Sequence, residues 1–277
     1  MSAALLGLLA ESHVHPGIGQ SNETVDLPVA RERTTGYPFV PGSSCKGALR
    51  DIAARHREET DINQWFGKQD DAGQVMVSDA RLLLLPVRSL TGAYRWLTCP
   101  YIVERLIRDR RRAGLDGPEG IDFATLGAGG SSVLAVGNGR LFLEERTFDI
   151  AGPPPAGLVD LLGQTIGDDQ ARQRLPSQIA VVSDDDFGWF ARYALPIQAR
   201  NCLNEKKTST NLWYEETLPP DTVLYLVLND RFNAQPRGGS GAVAALLTQR
   251  KWMQLGGNET VGQGWFLVHP LTAASEG

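Results

Sequence analysis

Hydrophobic positions along the chain fall into short runs, some continuous and some at helical spacing, divided by polar and glycine-rich stretches. The run Ala3 to Ala10 is continuous and leads into His13, Pro16, Gly17 and Gly19, which predicts a buried strand running into a turn. Ser21 to Thr35 is polar and broken by Pro28, so it predicts a loop. Ser43 or Ser44 suits a helix N-cap. Ala48, Leu49, Ile52 and Ala53 then share one helical face, predicting a helix from the serines to about His56. Val75 to Val87 predicts a strand ending at Pro86. Pro100 suits the first turn of a second helix, whose apolar stripe is Ile102, Val103, Leu106 and Ile107. Arg105, Arg108, Arg110, Arg111 and Arg112 crowd its C-terminal half, where cations suit the helix dipole.

Residues 114 to 139 are glycine-rich and predict loop with short strand pieces. Leu141 to Phe148 predicts a strand, and Gly152-Pro153-Pro154-Pro155 a surface connection. Residues 158 to 174 predict a helical insertion, and Ile179 to Val182 a strand ending at Ser183. Gln198 to Asn211 is polar and basic between two apolar stretches, which predicts a projecting hairpin or loop. Thr222 to Leu228 predicts a strand, Gly238 to Gly241 a flexible segment, and Val243 to Leu255 a helix. Gly256 to Gly264 is a second glycine-rich loop before a closing strand, Trp265 to Val268.

The 277 residues allow two domains or one large α/β domain with insertions. With 42% hydrophobic and 21% charged residues the chain can build a core, and its composition is not that of a disordered protein. No apolar run approaches the ~20 residues that span a bilayer, and Leu5 to Leu9 lacks the basic flank of a signal peptide. Cys45, Cys99 and Cys202 are widely spaced and form no CxxC pair, so the expectation is a reduced, cytoplasmic protein without a zinc or disulfide framework. The net charge is −5, so any nucleic-acid role must rest on local clusters of cations rather than on the whole-protein field.

One ordered set of segments resembles a known family. It comprises His15 to Gly19, Val25-Asp26-Leu27-Pro28 with Arg31-Glu32, Gly36 to Pro38, and Pro41-Gly42-Ser43-Ser44-x-Lys46-Gly47-x-Leu49-Arg50. These segments are similar to the N-terminal signature of the RAMP superfamily of CRISPR proteins. Ser78-Asp79-Ala80-Arg81 through Pro86-Val87-Arg88-Ser89, Gly92, Trp96, Thr98-Cys99-Pro100, and Leu212-Trp213-Tyr214-Glu215-Glu216-x-Leu218-Pro219 narrow the resemblance. They resemble the backbone subunit family, subunit four, of the type III-B Cmr effector. The closing glycine-rich loop fits the same superfamily.

The resemblance implies an α+β fold: an RRM-like (ferredoxin-like) palm with inserted loops and a projecting β-hairpin thumb. The whole of 1–277 would be a single RAMP domain, with the thumb near 198–211 and a variable insertion near 114–174. Copies of the subunit would stack as a helical filament along a CRISPR RNA, beside other Cmr subunits and away from membranes. Each copy would cleave target single-stranded RNA at regular intervals with Mg²⁺ or another divalent metal.

Asp26 beside Leu27-Pro28 is, by residue type, a loop aspartate that caps or turns; the resemblance implies that it is the catalytic carboxylate and the residue that would touch Mg²⁺. One carboxylate can orient a 2′-OH, accept its proton or hold a metal. A lone Asp does not suit a two-metal nuclease, so positioning should dominate. His15 is either a turn histidine or an acid–base partner. Glu216 is either a second carboxylate near the target or an anchor before Leu218-Pro219.

Ser43 and Ser44 at a helix N-terminus, with Lys46 and Arg50 one turn apart, would grip phosphate; an exposed, solvated face is the ordinary alternative. Arg200, Lys206 and Lys207 would charge the thumb. Gly256, Gly257, Gly262 and Gly264 would let RNA approach the backbone closely; a plain turn is the alternative. Asp184-Asp185-Asp186 reads as a solvated turn, the arginine cluster at 105–112 as a solvated helix end or a contact surface, and the six tryptophans as mostly core.

Two other readings compete. The chain could be a guide-binding scaffold without catalysis. It could also bind a nucleotide as a phosphotransferase, since Leu126 to Ser132 loosely resembles kinase phosphate loops, though it lacks a Gly-Lys-Ser/Thr.

Overall fold

The computed structural model describes residues 3–20, 24–118, 121–127, 130–232 and 238–273. In chain order the first half contains β1 (Ala3–Ala10), β2 (Phe39–Val40), α1 (Gly42–Ala54), α2 (Glu59–Phe66), β3 (Gly67–Lys68), β4 (Asp71–Ala72), β5 (Val75–Val77), β6 (Ala80–Arg88), β7 (Tyr94–Thr98), α3 (Pro100–Arg112), α4 (Phe123–Leu126) and β8 (Ser132–Ala135). The second half contains β9 (Arg140–Leu143), β10 (Arg146–Gly152), α5 (Ala156–Gly163), α6 (Asp169–Gln178), β11 (Ile179–Val181), α7 (Asp184–Tyr193), β12 (Ile197–Leu203), β13 (Ser209–Glu216), β14 (Val223–Asp230), α8 (Gly239–Gln249), β15 (Trp252–Gln254) and β16 (Trp265–Thr272).

The continuous runs of Leu, Val and Ala make the centre of one large sheet. Its heart has the order β16-β1-β14-β6, with every neighbouring pair antiparallel. α1 lies between β1 and β6 in the chain, and α8 between β14 and β16. The path β1-α1-β6-β14-α8-β16 is therefore the split βαβ arrangement of ferredoxin-like folds. Leu5, Leu6 and Leu8 of β1 and Leu82 to Leu85 of β6 are fully buried. Such runs, apolar on both sides, belong to strands covered on both faces. α8 packs on β16, β1 and β14. On β1, a Cβ at Gly7 would sit 1.8 Å from the carbonyl oxygen of Thr165, so the α5–α6 connection can lie against the sheet there only because residue 7 is glycine.

β6 is long enough to serve two partners. Leu82 and Leu84 pair with β14, while Leu85 to Arg88 pair with β7. From β7 the sheet continues through β11, β8, β10 and β9, all supplied by the stretch between β6 and the hairpin. That hairpin, β12–β13, stands as a two-stranded sheet of its own.

Several local expectations are corrected. The predicted strand 75–87 is two strands, broken where Ser78 and Asp79 bond across to other segments, and Pro86 sits inside β6 opposite Trp96. Leu141 to Phe148 is a hairpin, with Glu144 at φ 48° in the turn between β9 and β10. Asp184 to Asp186 open α7 rather than a solvated turn. Ser183 caps that helix, Asp184 accepts from the Tyr101 N–H at 2.9 Å, and Asp186 pairs with Arg146 at 2.7 Å. Gly239 to Gly241 are helical, because Asp230 accepts from the N–H groups of Gly238 and Ser240, each at 2.7 Å, and so seeds α8. α8 stops at Gln249, and Trp252 to Gln254 form β15.

On α3, Arg105 and Arg110 are buried. Arg105 pairs with Glu32 at 2.6 Å, and Arg110 donates to Gln164 at 2.9 Å and to the Asp116 carbonyl at 3.0 Å. These two arginines tie the helix down instead of facing a ligand. Residues 21–23 of the expected loop, and 128 and 129 of the kinase-like glycine run, lie outside the described residues.

Candidate nucleic-acid interface and cleavage site

The polar segment after β1 lies against the base of the hairpin. Val14 and Leu218 exchange backbone hydrogen bonds at 3.0 and 2.8 Å. Further on, Leu27 donates to the Tyr214 carbonyl at 3.0 Å and accepts from the Glu216 N–H at 3.0 Å, a short parallel bridge to β13. The carboxylate of Asp26 completes this seam by accepting the Tyr214 N–H at 2.7 Å. Asp26 therefore does what its residue type suggests, satisfying a backbone donor, and is held at the hairpin's edge by doing so. It lines a cavity of about 400 Å³ with Gln20, Leu27, Cys202, Asn211, Leu212 and Trp213.

Glu216 is buried. Its oxygens accept from the Val29 N–H at 3.1 Å and from Arg31 at 2.6 Å, and Arg31 also donates to the carbonyls of Gly36 and Ala191. This is the anchor reading of Glu216, and it leaves no carboxylate oxygen turned to a substrate. His15 is buried too. Its Nδ1 lies 2.8 Å from the Glu216 carbonyl oxygen, which can only accept, so Nδ1 carries the proton. Its own carbonyl accepts from Gly257 at 2.9 Å.

The next residue on β13, Glu215, is 2% exposed and was not singled out from sequence. It accepts from the Asn258 side-chain amide in the glycine-rich loop. It also lies 3.7 Å from Arg200 on β12 and 3.9 Å from His15. One carboxylate thus joins hairpin, glycine loop and post-β1 segment. Strand alternation was the available signal: neighbouring Glu215 and Glu216 must face opposite sides of β13 and serve different partners. Arg200 and burial also act on His13, whose imidazole is held below its ordinary range, burial being the larger cause.

The expected RNA-facing side chains divide into three groups. α1 begins at Gly42, whose N–H is capped by Asp79 at 2.7 Å, so Ser43 and Ser44 are exposed residues of the first turn rather than caps. Lys46, Lys206 and Lys207 have no ion-pair partner among the described residues. The two hairpin lysines sit in a turn organised by the Asn204 side chain, which accepts from the N–H groups of Lys206 and Thr208 at 3.0 Å each. Arg50 instead donates to the Gly67 carbonyl and to Asn63, and Arg200 faces Glu215.

Among the loop glycines, Cβ atoms at Gly256 and Gly257 would press on His15, and one at Gly264 would lie 2.1 Å from the Leu255 carbonyl oxygen. These three make room for the protein's own chain. Gly262, at φ 82°, has open space around it.

Among the described residues no three His, Cys, Asp or Glu side chains come together to hold a metal. Asp26 offers one carboxylate oxygen beyond the one on Tyr214. That fits a Mg²⁺ ion that keeps most of its water and takes its other ligands from a substrate phosphate, and it does not fit a protein-built cage.

A split βαβ sheet with a separate two-stranded hairpin defines an α+β protein of the kind the motifs resemble. The RAMP superfamily model matches residues 8–267, and the chain belongs to that superfamily. It is 33% identical over 291 residues to the CRISPR system Cmr endoribonuclease Cmr4 of Pyrococcus furiosus, covering 97% of this chain and 95% of that protein. The crystal structure of oligomeric Cmr4 from Pyrococcus furiosus matches with a TM-score of 0.77 at 28% identity, over 98% of each chain. A chain in the cryo-EM structure of the Type III-B Cmr-beta bound to cognate target RNA shares the fold, with a TM-score of 0.76 at 19% identity over 98% and 97% of the two chains. No helix among the described residues is long and apolar enough to cross a membrane.

Proposed function

We propose that this chain is a filament-forming subunit of a type III-B CRISPR effector that binds CRISPR RNA and cleaves complementary target RNA beside Asp26. The observation that supports the cleavage reading is the seam at the hairpin base: Asp26 is fixed by the Tyr214 N–H and lines a cavity of about 400 Å³. The similarity to an endoribonuclease over nearly the whole chain supports the same reading.

RNA carries its own nucleophile. When the 2′-oxygen is aligned with the phosphorus, it attacks as its proton is removed, the P–O5′ bond breaks, and the leaving 5′-oxygen takes a proton from water, giving a 2′,3′-cyclic phosphate and a 5′-hydroxyl. The free oxygen of Asp26 would orient the 2′-OH and take its proton. His15 is too enclosed by Gly17, Gly256 and Gly257 to meet a substrate without rearrangement, so its part is to set the backbone path of the seam. A divalent ion on the phosphate, meeting Asp26 only through its own water, would neutralise charge on the phosphate oxygens. Positioning supplies most of the rate in such a site, which implies modest turnover.

The test is cleavage of a complementary RNA by complexes reconstituted with Asp26→Asn. A loss of cleavage with guide binding and assembly intact supports the nuclease; unchanged cleavage leaves a guide-binding scaffold.

A further inference from the structure

Successive residues of a paired strand turn their backbone N–H and C=O groups to opposite edges. On β13 the Tyr214 carbonyl and the Glu216 N–H both bond to Leu27, on the edge away from β12. Trp213 and Glu215 therefore serve the ladder to β12, where they lie opposite Arg200 and Gln198. Leu212, two residues before Tyr214, must turn its N–H and C=O to the same outer edge as Tyr214. Its pairing with Asn201 lies inside the regular part of the hairpin, before the register shift that follows Cys202.

Only part of that outer edge is covered. The parallel bridge at Leu27 and Glu215 would continue with Val25 donating to the Leu212 carbonyl and Tyr214 donating to the Val25 carbonyl. Neither bond forms. The Asp26 carboxylate takes the Tyr214 N–H instead, and the segment parts from β13 there. The Leu212 N–H has no acceptor among the described residues. It stands about 7 Å along the strand from the Tyr214 N–H, two residues at the strand rise, and points the same way. Leu212 is 58% exposed and lines the cavity beside Asp26.

The rest of the cavity narrows the role of this donor. Among the described residues that line it, Asp26 is the only charged one, so no Lys, Arg or His meets a bound phosphate there. As a 2′-oxygen adds to phosphorus, negative charge grows on the non-bridging phosphate oxygens. An N–H held by a β-ladder meets that charge without reorganising. The amides of Gln20 and Asn211, which line the same cavity, end on rotatable side chains and lack that advantage.

We propose that the Leu212 backbone N–H is a second catalytic group. It donates to a non-bridging oxygen of the scissile phosphate while the free oxygen of Asp26 takes the proton of the 2′-OH. One strand edge then sets both groups: the Tyr214 N–H fixes the carboxylate, and the next N–H outward fixes the phosphate. This inference rests on the reading of the chain as a nuclease and adds a group to the same site.

The test uses effector complexes reconstituted with a chain whose Leu212 is replaced by the matching α-hydroxy acid. An ester oxygen then stands where the N–H was, and the side chain is kept. Single-turnover cleavage of a complementary RNA is measured with an ordinary scissile phosphate and with each of its two phosphorothioate diastereomers. The ester complex should cleave about 10²-fold more slowly, the usual cost of one lost oxyanion donor, while binding guide and target as wild type does. One diastereomer should slow the wild type, because sulfur is a weak acceptor, and should cost the ester complex nothing more. Mn²⁺ should not restore the rate. Leu212→Pro, which also lacks the N–H and stands on an edge where proline is tolerated, should give the same two results. Wild-type cleavage by the ester complex would overturn the proposal. So would a wild type indifferent to both sulfurs, or a sulfur effect removed by Mn²⁺, which would put a metal ion on that oxygen. If wild-type complexes do not cleave, the nuclease reading itself fails; cleavage that ignores the ester removes only the Leu212 contact.

Discussion

The backbone N–H of Tyr214 donates to Oδ2 of Asp26 across 188 positions of sequence, at 2.7 Å. The bond uses one carboxylate oxygen and leaves the other beside the cavity. Asn at position 26 can still accept with its amide oxygen, whereas Ala cannot. Asp26→Asn should therefore leave the melting temperature nearly unchanged while target cleavage falls ~10²-fold or more, the scale of a lost general base. Asp26→Ala should lose cleavage and some stability together. Thermal unfolding and single-turnover cleavage by the assembled complex check both.

Glu216 and Arg31 form a pair that is mostly shielded from water. Glu216→Gln leaves the Arg31 guanidinium without its counter-charge. The expected loss is about 3 kcal/mol, the lower end for a broken buried pair, because Arg31 keeps some contact with water. Urea denaturation with an unchanged slope would read this directly.

The three thiols should react very unequally. Cys45 and Cys99 are buried; burial pushes the Cys45 thiol up to about 12 and raises that of Cys99 as well. Cys202 is exposed and lines the cavity with Asp26. Iodoacetamide should label Cys202 in the native protein and spare the other two, as peptide mapping would show. The added group should slow cleavage by narrowing the cavity.

Acid should destabilise the fold before its carboxylates titrate. His13 and His269 are both held below the ordinary imidazole range. Burial is the larger cause for each, joined by Arg200 for His13 and by Arg172 and Lys251 for His269. The unfolded chain then binds more protons than the native one below the ordinary imidazole value of 6.5, so stability falls as pH drops from there toward the native values. Glu11, raised by burial and by Asp221 and Asp168, acts with the opposite sign at and above the ordinary glutamate value of 4.5. The difference between wild type and a His13→Asn/His269→Asn variant, followed by urea titration at pH 7 and pH 5, isolates the imidazoles: the variant should show the flatter profile.

Lys206 and Lys207 sit in the hairpin turn with no ion-pair partner among the described residues. Each phosphate contact with a single strand contributes ~0.7 to the slope of log affinity against log salt. Replacing both with alanine should lower that slope by about 1.4 and weaken RNA of any sequence equally. Anisotropy titrations at several salt concentrations measure both effects.

Sequence alone settled the features that short segments control. The continuous apolar run of β1, Pro100 at the first turn of α3, the run now seen as β14 and the existence of a polar hairpin after position 197 are written within about ten residues each. There, side-chain period and turn chemistry decide the backbone. The ordered motifs also carried the superfamily.

Only the tertiary structure decided which residues meet. His15 reaches the Glu216 carbonyl over 201 positions, and Asn258 reaches Glu215 over 43. It likewise showed that Asp230 starts α8, that Arg50 and Arg200 are engaged internally, and that Trp252 and Trp265 stay outside. Each of these follows from strand register and from the order β16-β1-β14-β6. A shift of one residue turns a strand's side chains to the other face, so no local pattern can name their partners.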